Sequence, residues 1–169
     1  LSVIIIAKNE ESNIKRALES VKWAREIIVL DSGSTDSTVS IAKQYTDKVF
    51  ETDWQGFGIQ KQRALDLATS DWVLNLDADE YVSDDLRLFK RSGARFSKDI
   101  VHEKIELPKK ARISQIKLPI LHNSFRDVSH ALSKINLYSS YSAKIRINDN
   151  LKPSLLKTIA ASVWMFVRC

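Results

Sequence analysis

Cysteine is almost missing from this chain, with Cys169 alone among 169 residues. An internal disulfide framework and a cysteine zinc site are therefore excluded, and the usage fits a reducing cytoplasm. Long apolar runs are also missing, and no stretch is long enough to span a bilayer. The apolar run Ser2–Ala7 passes at once into Lys8, Asn9, Glu10 and Glu11, so it reads as a buried strand rather than the core of a signal peptide. With only four glycines and three prolines, the chain has no low-complexity tract, internal repeat or clear linker. What is present is 44% hydrophobic and 28% charged. That is the balance of a soluble globular protein able to bury a core, and the length suits one domain.

The net charge of +5 conceals an asymmetry. Residues 1–86 hold 9 Lys/Arg against 16 Asp/Glu, and residues 87–169 hold 17 against 5. The basic half suits nucleic acid, anionic lipid or a phosphorylated substrate, or is a set of solvated helix faces. Its aromatic residues form no recognised RNA or DNA motif and the other half is acidic, so no nucleic-acid partner is expected.

The pattern along the chain predicts an α/β fold with a mostly parallel central sheet flanked by helices and a helical C-terminal part. Ser2–Ala7 and Glu26–Leu30 read as strands buried on both faces. Ile14, Ala17, Leu18 and Val21 fall at helical spacing between them. A turn of capping residues, Ser32–Asp36, leads into a short helix over 37–45. Lys48–Glu51 reads as a weaker strand, Gly56 and Gly58 open a helix reaching Ala68, and Asp71–Leu76 forms a fourth strand. Further on, Leu88-Phe89, Ile100–Ile105 and the alternation Ile116, Leu118, Ile120 suggest strands. Val128 to Ile145 follows helical spacing, and Pro153 opens an apolar last helix.

Asp77-Ala78-Asp79-Glu80 stands at the exit of the fourth strand. Residues i and i+2 share a side of a strand, so two carboxylates placed there suit a hard cation such as Mg2+ or Mn2+ that also grips phosphates. In a parallel sheet, ligands bind outside the carboxyl ends of the strands, where Asp31 and the Ala7–Glu10 segment also fall. The bland readings are a capped helix for Asp31 and Asp36, and an ordinary strand-end turn for Asp77 and Asp79. Trp54 and Trp72 read as core residues.

Three ordered stretches carry a family resemblance: Ser2–Glu11, Val29–Asp36 and Asn75–Glu80. Together with Val101-His102-Glu103-Lys104 and Arg87-Leu88-Phe89-Lys90-Arg91, they resemble the family 2 glycosyltransferases of GT-A fold, nearest the bacterial lipopolysaccharide-core β-glycosyltransferases. The resemblance implies a nucleoside-diphosphate sugar donor and a lipopolysaccharide-core or other lipid-linked acceptor. It also implies a place in the cytoplasm, peripheral on the inner face of the membrane, against an anionic surface. Residues 1–86 would be the nucleotide-sugar half, 87–150 a shortened acceptor-side half, and 151–169 a C-terminal amphipathic helix.

The roles it implies are specific. Ala7, Asn9 and Glu10 line the nucleotide pocket, and Asp31 accepts a hydrogen bond from base or ribose. Lys61 approaches the diphosphate, although its place on a helix reads equally as a solvated lysine. Asp77 contacts ribose or metal, Asp79 the metal, and His102 the metal through a neutral imidazole or else its neighbours. Glu103 is the candidate base for the acceptor hydroxyl, or a structural salt bridge. One departure stands out: only 22 residues separate Asp79 from His102, where the resembled family has a much longer stretch.

Overall fold

The computed structural model describes residues 1–82, 87–100, 102–112, 120–122 and 127–148. The expected apolar last helix and most of the expected 116–120 strand lie outside them. The chain divides into two units, Leu1–Ala131 and Leu132–Cys169.

The first unit is built on a five-stranded sheet. Its strands are β1 (Ser2–Ala7), β2 (Glu26–Asp31), β3 (Val49–Glu51), β4 (Trp72–Asp77) and β6 (Arg87–Lys90), ordered β3-β2-β1-β4-β6. The first four are parallel and β6 is antiparallel to β4. After β3 the chain crosses back to place β4 on the free side of β1. That reversal of strand order opens a crevice at the carboxyl ends of β1 and β4. The register aligns Ala7 with Asp31 and Ile6 with Asp77, so the expected site residues share one edge.

Helices cover both faces. On one face α1 (Ile14–Val21) and α2 (Thr38–Ala42) bury Ile14, Ala17, Leu18, Val21 and Ala42 against Val3, Ile5, Ile27, Val29, Leu74 and Leu76. On the other, α3 (Phe57–Leu67) places Ala64 and Leu65 against Ile4, Ile6, Ile28, Leu30 and Val73. Strand alternation therefore assigns Asp31 to the α1 and α2 face, with Ile27 and Val29. Asn75 and Asp77 fall on the α3 face, with Val73.

The α1 spacing holds as expected, whereas the helix expected over 37–45 is limited to Thr38–Ala42. Small paired strands complete the unit: β5 (Glu80–Val82) with β9 (Ile120–His122), and β7 (Arg95–Phe96) with β8 (Ile105–Glu106). Of the described residues in the strand expected over 100–105, only Ile105 lies in a strand. His102 has φ of 61°, a left-handed conformation that an extended run does not tolerate, and β8 begins only at Ile105. Trp72 is not core either. It is 44% exposed, with the Lys90 ammonium 5.5 Å above its ring. Trp54 is half-buried, edge-on to Phe57 at 4.7 Å. The helix α4 (Val128–Asn148) runs slightly beyond its expected end. No helix among the described residues is long and apolar enough to cross a membrane.

Candidate active site

The loop after β1 and the loop after β2 are stitched together. Asn9 adopts φ of 54°, its amide donates to Ser34 Oγ at 2.8 Å, and its Oδ1 accepts from Thr35 N at 2.8 Å. Glu10 N donates to Thr38 Oγ1 at 2.8 Å, and Glu10 Oε2 accepts from Asn13 Nδ2 at 2.8 Å. Asp31 is fully buried. Its Oδ2 accepts from Gly33 N at 2.9 Å and Ser34 N at 2.8 Å, and Oδ1 takes the Ser34 hydroxyl. Its carboxylate thus shapes the turn, which is the Asx-type role of such a residue.

Asp36 accepts from Thr38 N at 3.0 Å, so it caps the start of α2, as its sequence position suggests. Burial pushes the Asp36 carboxyl up, but the bonds from the Thr38 hydroxyl and amide and the Glu11 amide outweigh it, and its pKa is lowered.

A second cluster forms on the α3 face. Lys61 is expected as either a solvated lysine or a diphosphate contact, yet its side chain is only 2% exposed. Its Nζ lies 2.8 Å from Asp77 Oδ1 and 2.5 Å from Glu103 Oε1. A buried ammonium demands such partners, because an unpaired charge there costs several kcal/mol. One cation therefore joins the strand-end carboxylate to the carboxylate expected as base. Glu103 itself keeps 15% of its side-chain surface. Asn75, two residues before Asp77, is buried, and its Oδ1 accepts no hydrogen bond from the described residues.

Glu80 closes the turn after β4 by accepting the Asp77 amide at 2.9 Å. Ala78 is buried in the α1-side core, while Asp77 and Asp79 keep partial access to solvent. His102 is exposed. No group of three or more His, Cys, Asp and Glu gathers as a metal cage among the described residues. Asp77 and Asp79 nonetheless offer the hard oxygen pair that Mg2+ accepts when phosphates and water complete its shell.

One residue at this edge, and the burial of another that was already a candidate, escape sequence reasoning. Gln60 is fully buried, and its Nε2 reaches Ser32 Oγ at 2.8 Å, Thr52 Oγ1 at 3.0 Å and Asp53 O at 2.8 Å. It ties the exits of β2 and β3 together. Lys61 is the candidate found buried. Gln60 stands four residues before the buried Ala64 and Lys61 four before the buried Leu65, and that inward spacing was the available signal.

The matched family now fits this geometry. Residues 2–91 match the model for glycosyl transferase family 2, and the chain belongs to that family. Its sheet is the mostly parallel arrangement expected of the GT-A fold. An uncharacterized glycosyltransferase of Rickettsia bellii (strain RML369-C) is 29% identical, over 99% of this chain and 74% of its own. That alignment runs over 219 positions against 169 residues here, so at least 50 positions have no counterpart in this chain.

The lipopolysaccharide core biosynthesis glycosyltransferase LpsC of Rhizobium meliloti (strain 1021) is 38% identical, over 52% of this chain and 34% of its own. Among solved structures, glucosyl-3-phosphoglycerate synthase from Mycobacterium tuberculosis, in complex with Mg2+ and uridine-diphosphate, is similar. It shows 31% identity and a TM-score of 0.43, over 47% of this chain and 33% of that one. The chain thus spans about three quarters of the Rickettsia relative and about a third of the other two.

Proposed function

We propose that this glycosyltransferase is inverting and metal-dependent, and that it moves a sugar from a nucleoside-diphosphate sugar to a lipopolysaccharide-core acceptor at the inner membrane face. The observation that carries the reading is the Asp77–Lys61–Glu103 cluster, which unites the donor edge of the sheet with a carboxylate from the second half of the chain. The name of the LpsC relative supports the acceptor class.

Ala7, Asn9, Glu10 and Asp31 build the nucleotide wall, with Asp31 holding the turn that the base or ribose meets. Asp77 and Asp79 would hold Mg2+ or Mn2+. When bound, that cation supplies Lewis-acid stabilisation of the departing nucleoside diphosphate. Glu103 takes the proton of the acceptor hydroxyl, which is a poor nucleophile until deprotonated. A single in-line displacement then inverts the anomeric carbon. Lys61 fixes the Glu103 oxygen by a charge-assisted bond, and His102 sets the backbone turn beside it.

Titration with a panel of nucleoside-diphosphate sugars, with and without Mn2+, tests the donor reading; silence toward every donor overturns it. Glu103→Gln is expected to lower transfer by about 10²–10⁴-fold. Full activity toward a polyprenyl phosphate, an acceptor already ionised, would favour that class of acceptor instead. The at least 50 alignment positions absent from this chain of 169 residues favour a second reading, a nucleotide-sugar-binding remnant without turnover. Turnover of any donor that is lost in Asp79→Ala excludes it.

A further inference from the structure

The segment that carries Glu103 is held by a helix rather than by a sheet. Its flanking strands β7 and β8 pair over only two residues each. Ser97 N donates to Lys104 O at 2.9 Å, and Lys104 N donates back to Ser97 Oγ at 2.9 Å, closing a loop. From that closure the contacts run to the start of α3. Phe57 N donates to Ile100 O at 3.1 Å, and Gly58 N donates to Asp99 O at 3.1 Å. These are first-turn amides, which have no acceptor inside their own helix. The approach is close: a Cβ at position 58 would lie 1.9 Å from Ser97 O and 3.0 Å from Asp99 O. At Gly56 a Cβ would stand 3.0 Å from Ile100 Cα. Gly58 and Lys61 are three residues apart and so share a helix face.

We infer that Gly58 and Lys61 together form a mount on α3 that positions Glu103 at the carboxyl edge of the sheet, with Gly58 as a positioning residue. The inference rests on the reading of Glu103 as the base. Gly58 admits the loop backbone, and Lys61, one turn further, fixes the carboxylate. The two first-turn amides are taken by loop carbonyls, so the start of α3 serves the acceptor side of the reaction. Two short strands and a left-handed His102 do not hold a carboxylate in place; the helix does.

Gly58→Ala tests this, because alanine suits the helix better than glycine but collides with the loop. Lys98 and Lys104 are exposed, so limited trypsin digestion reads the loop directly. Cleavage after Lys98 is expected to speed up by about tenfold or more, as local opening becomes easier. Calorimetric binding of UDP with Mn2+ stays within about threefold, and kcat for sugar turnover falls by about tenfold or more at an unchanged donor KM. Unchanged cleavage overturns the mount, as does faster cleavage with full kcat, and so does loss of UDP binding. If Gly58→Ala does not fold, amide exchange in Glu103→Gln replaces it. There the Phe57 and Gly58 amides are expected to exchange about tenfold faster, and unchanged protection overturns the inference. Full turnover in Glu103→Gln would remove the base assignment alone, so the two failures are separable.

Discussion

Replacing Glu26 with Gln is expected to cost about 3 kcal/mol at neutral pH, and to cost almost nothing near pH 2. Glu26 opens β2 at the amino edge of the sheet, opposite the edge that carries Asp31 and Asp77, in register with Ser2. Its carboxylate accepts the Ser2 hydroxyl, the Lys48 ammonium, Thr69 N at 2.9 Å and Thr69 Oγ1 at 3.0 Å. Ser70 N in turn donates to Ser2 Oγ at 3.1 Å. One ionised side chain therefore joins the beginnings of β1 and β2 to the segments entering β3 and β4.

Burial pushes the Glu26 carboxyl up, but Lys48, Ser2 and the two Thr69 donors outweigh it and hold it near 2, from an ordinary 4.5. Each unit of that depression is worth about 1.4 kcal/mol, which gives about 3 kcal/mol in favour of the folded state. The folded value is the lower one, so this stability is complete above about pH 4.5 and disappears as pH falls toward 2. Lys48 is 47% exposed, so added salt removes part of its share and leaves that of the Ser2 and Thr69 bonds.

Gln keeps the shape and one of the two acceptor oxygens, and carries no charge, as in the protonated acid. Urea unfolding of both proteins, followed by circular dichroism at pH 7, 4 and 2, provides the measurement. A gap that stays the same from pH 7 to pH 2 would refute the reasoning, and so would a gap below about 1 kcal/mol at pH 7.

Other perturbations probe the rest of the molecule. Lys61→Met leaves Asp77 and Glu103 facing each other without their cation. It should lower stability by about 3 kcal/mol in urea unfolding, and a neutral result would mean that the carboxylates do not depend on it. Asp79→Asn should weaken Mn2+-dependent UDP binding by at least about tenfold in calorimetry while thermal stability stays close to wild type. Leu18→Ala, at a fully buried site between α1 and the sheet, should cost about 2–5 kcal/mol. Asp36→Ala removes the cap at the start of α2 and should cost about 1 kcal/mol at pH 7. The Asp36 pKa is lowered in the folded state, so that cost should shrink in acid, which unfolding curves at pH 7 and pH 3 would show.

The order of strands and helices through Asp77 was legible along the chain, because β-branched runs and helical spacing act over a few neighbouring residues. Ser2–Ala7 and the α1 face formed by Ile14, Ala17, Leu18 and Val21 were readable in that way. The Asp77 and Asp79 pair at a strand exit was readable too, since a parallel sheet sends its strand ends to one edge. Where local preference met a tertiary demand, the reading failed. The run 100–105 looks extended, yet Ile100 O is taken by the Phe57 amide of α3 and His102 turns left-handed.

The sequence by itself determined the α/β class, the family and the edge that Ala7, Asp31 and Asp77 share. Only the tertiary structure decided what Lys61 does. A lysine on a helix goes to solvent unless something pairs with it, and its partner Glu103 arrives from 42 residues away. The same holds for Asp31, which folds its carboxylate into its own turn, and for Glu26, whose four donors come from three other segments. Periodicity indicates which face a residue takes, but the partner of a buried charge is chosen by what the folded chain places opposite it.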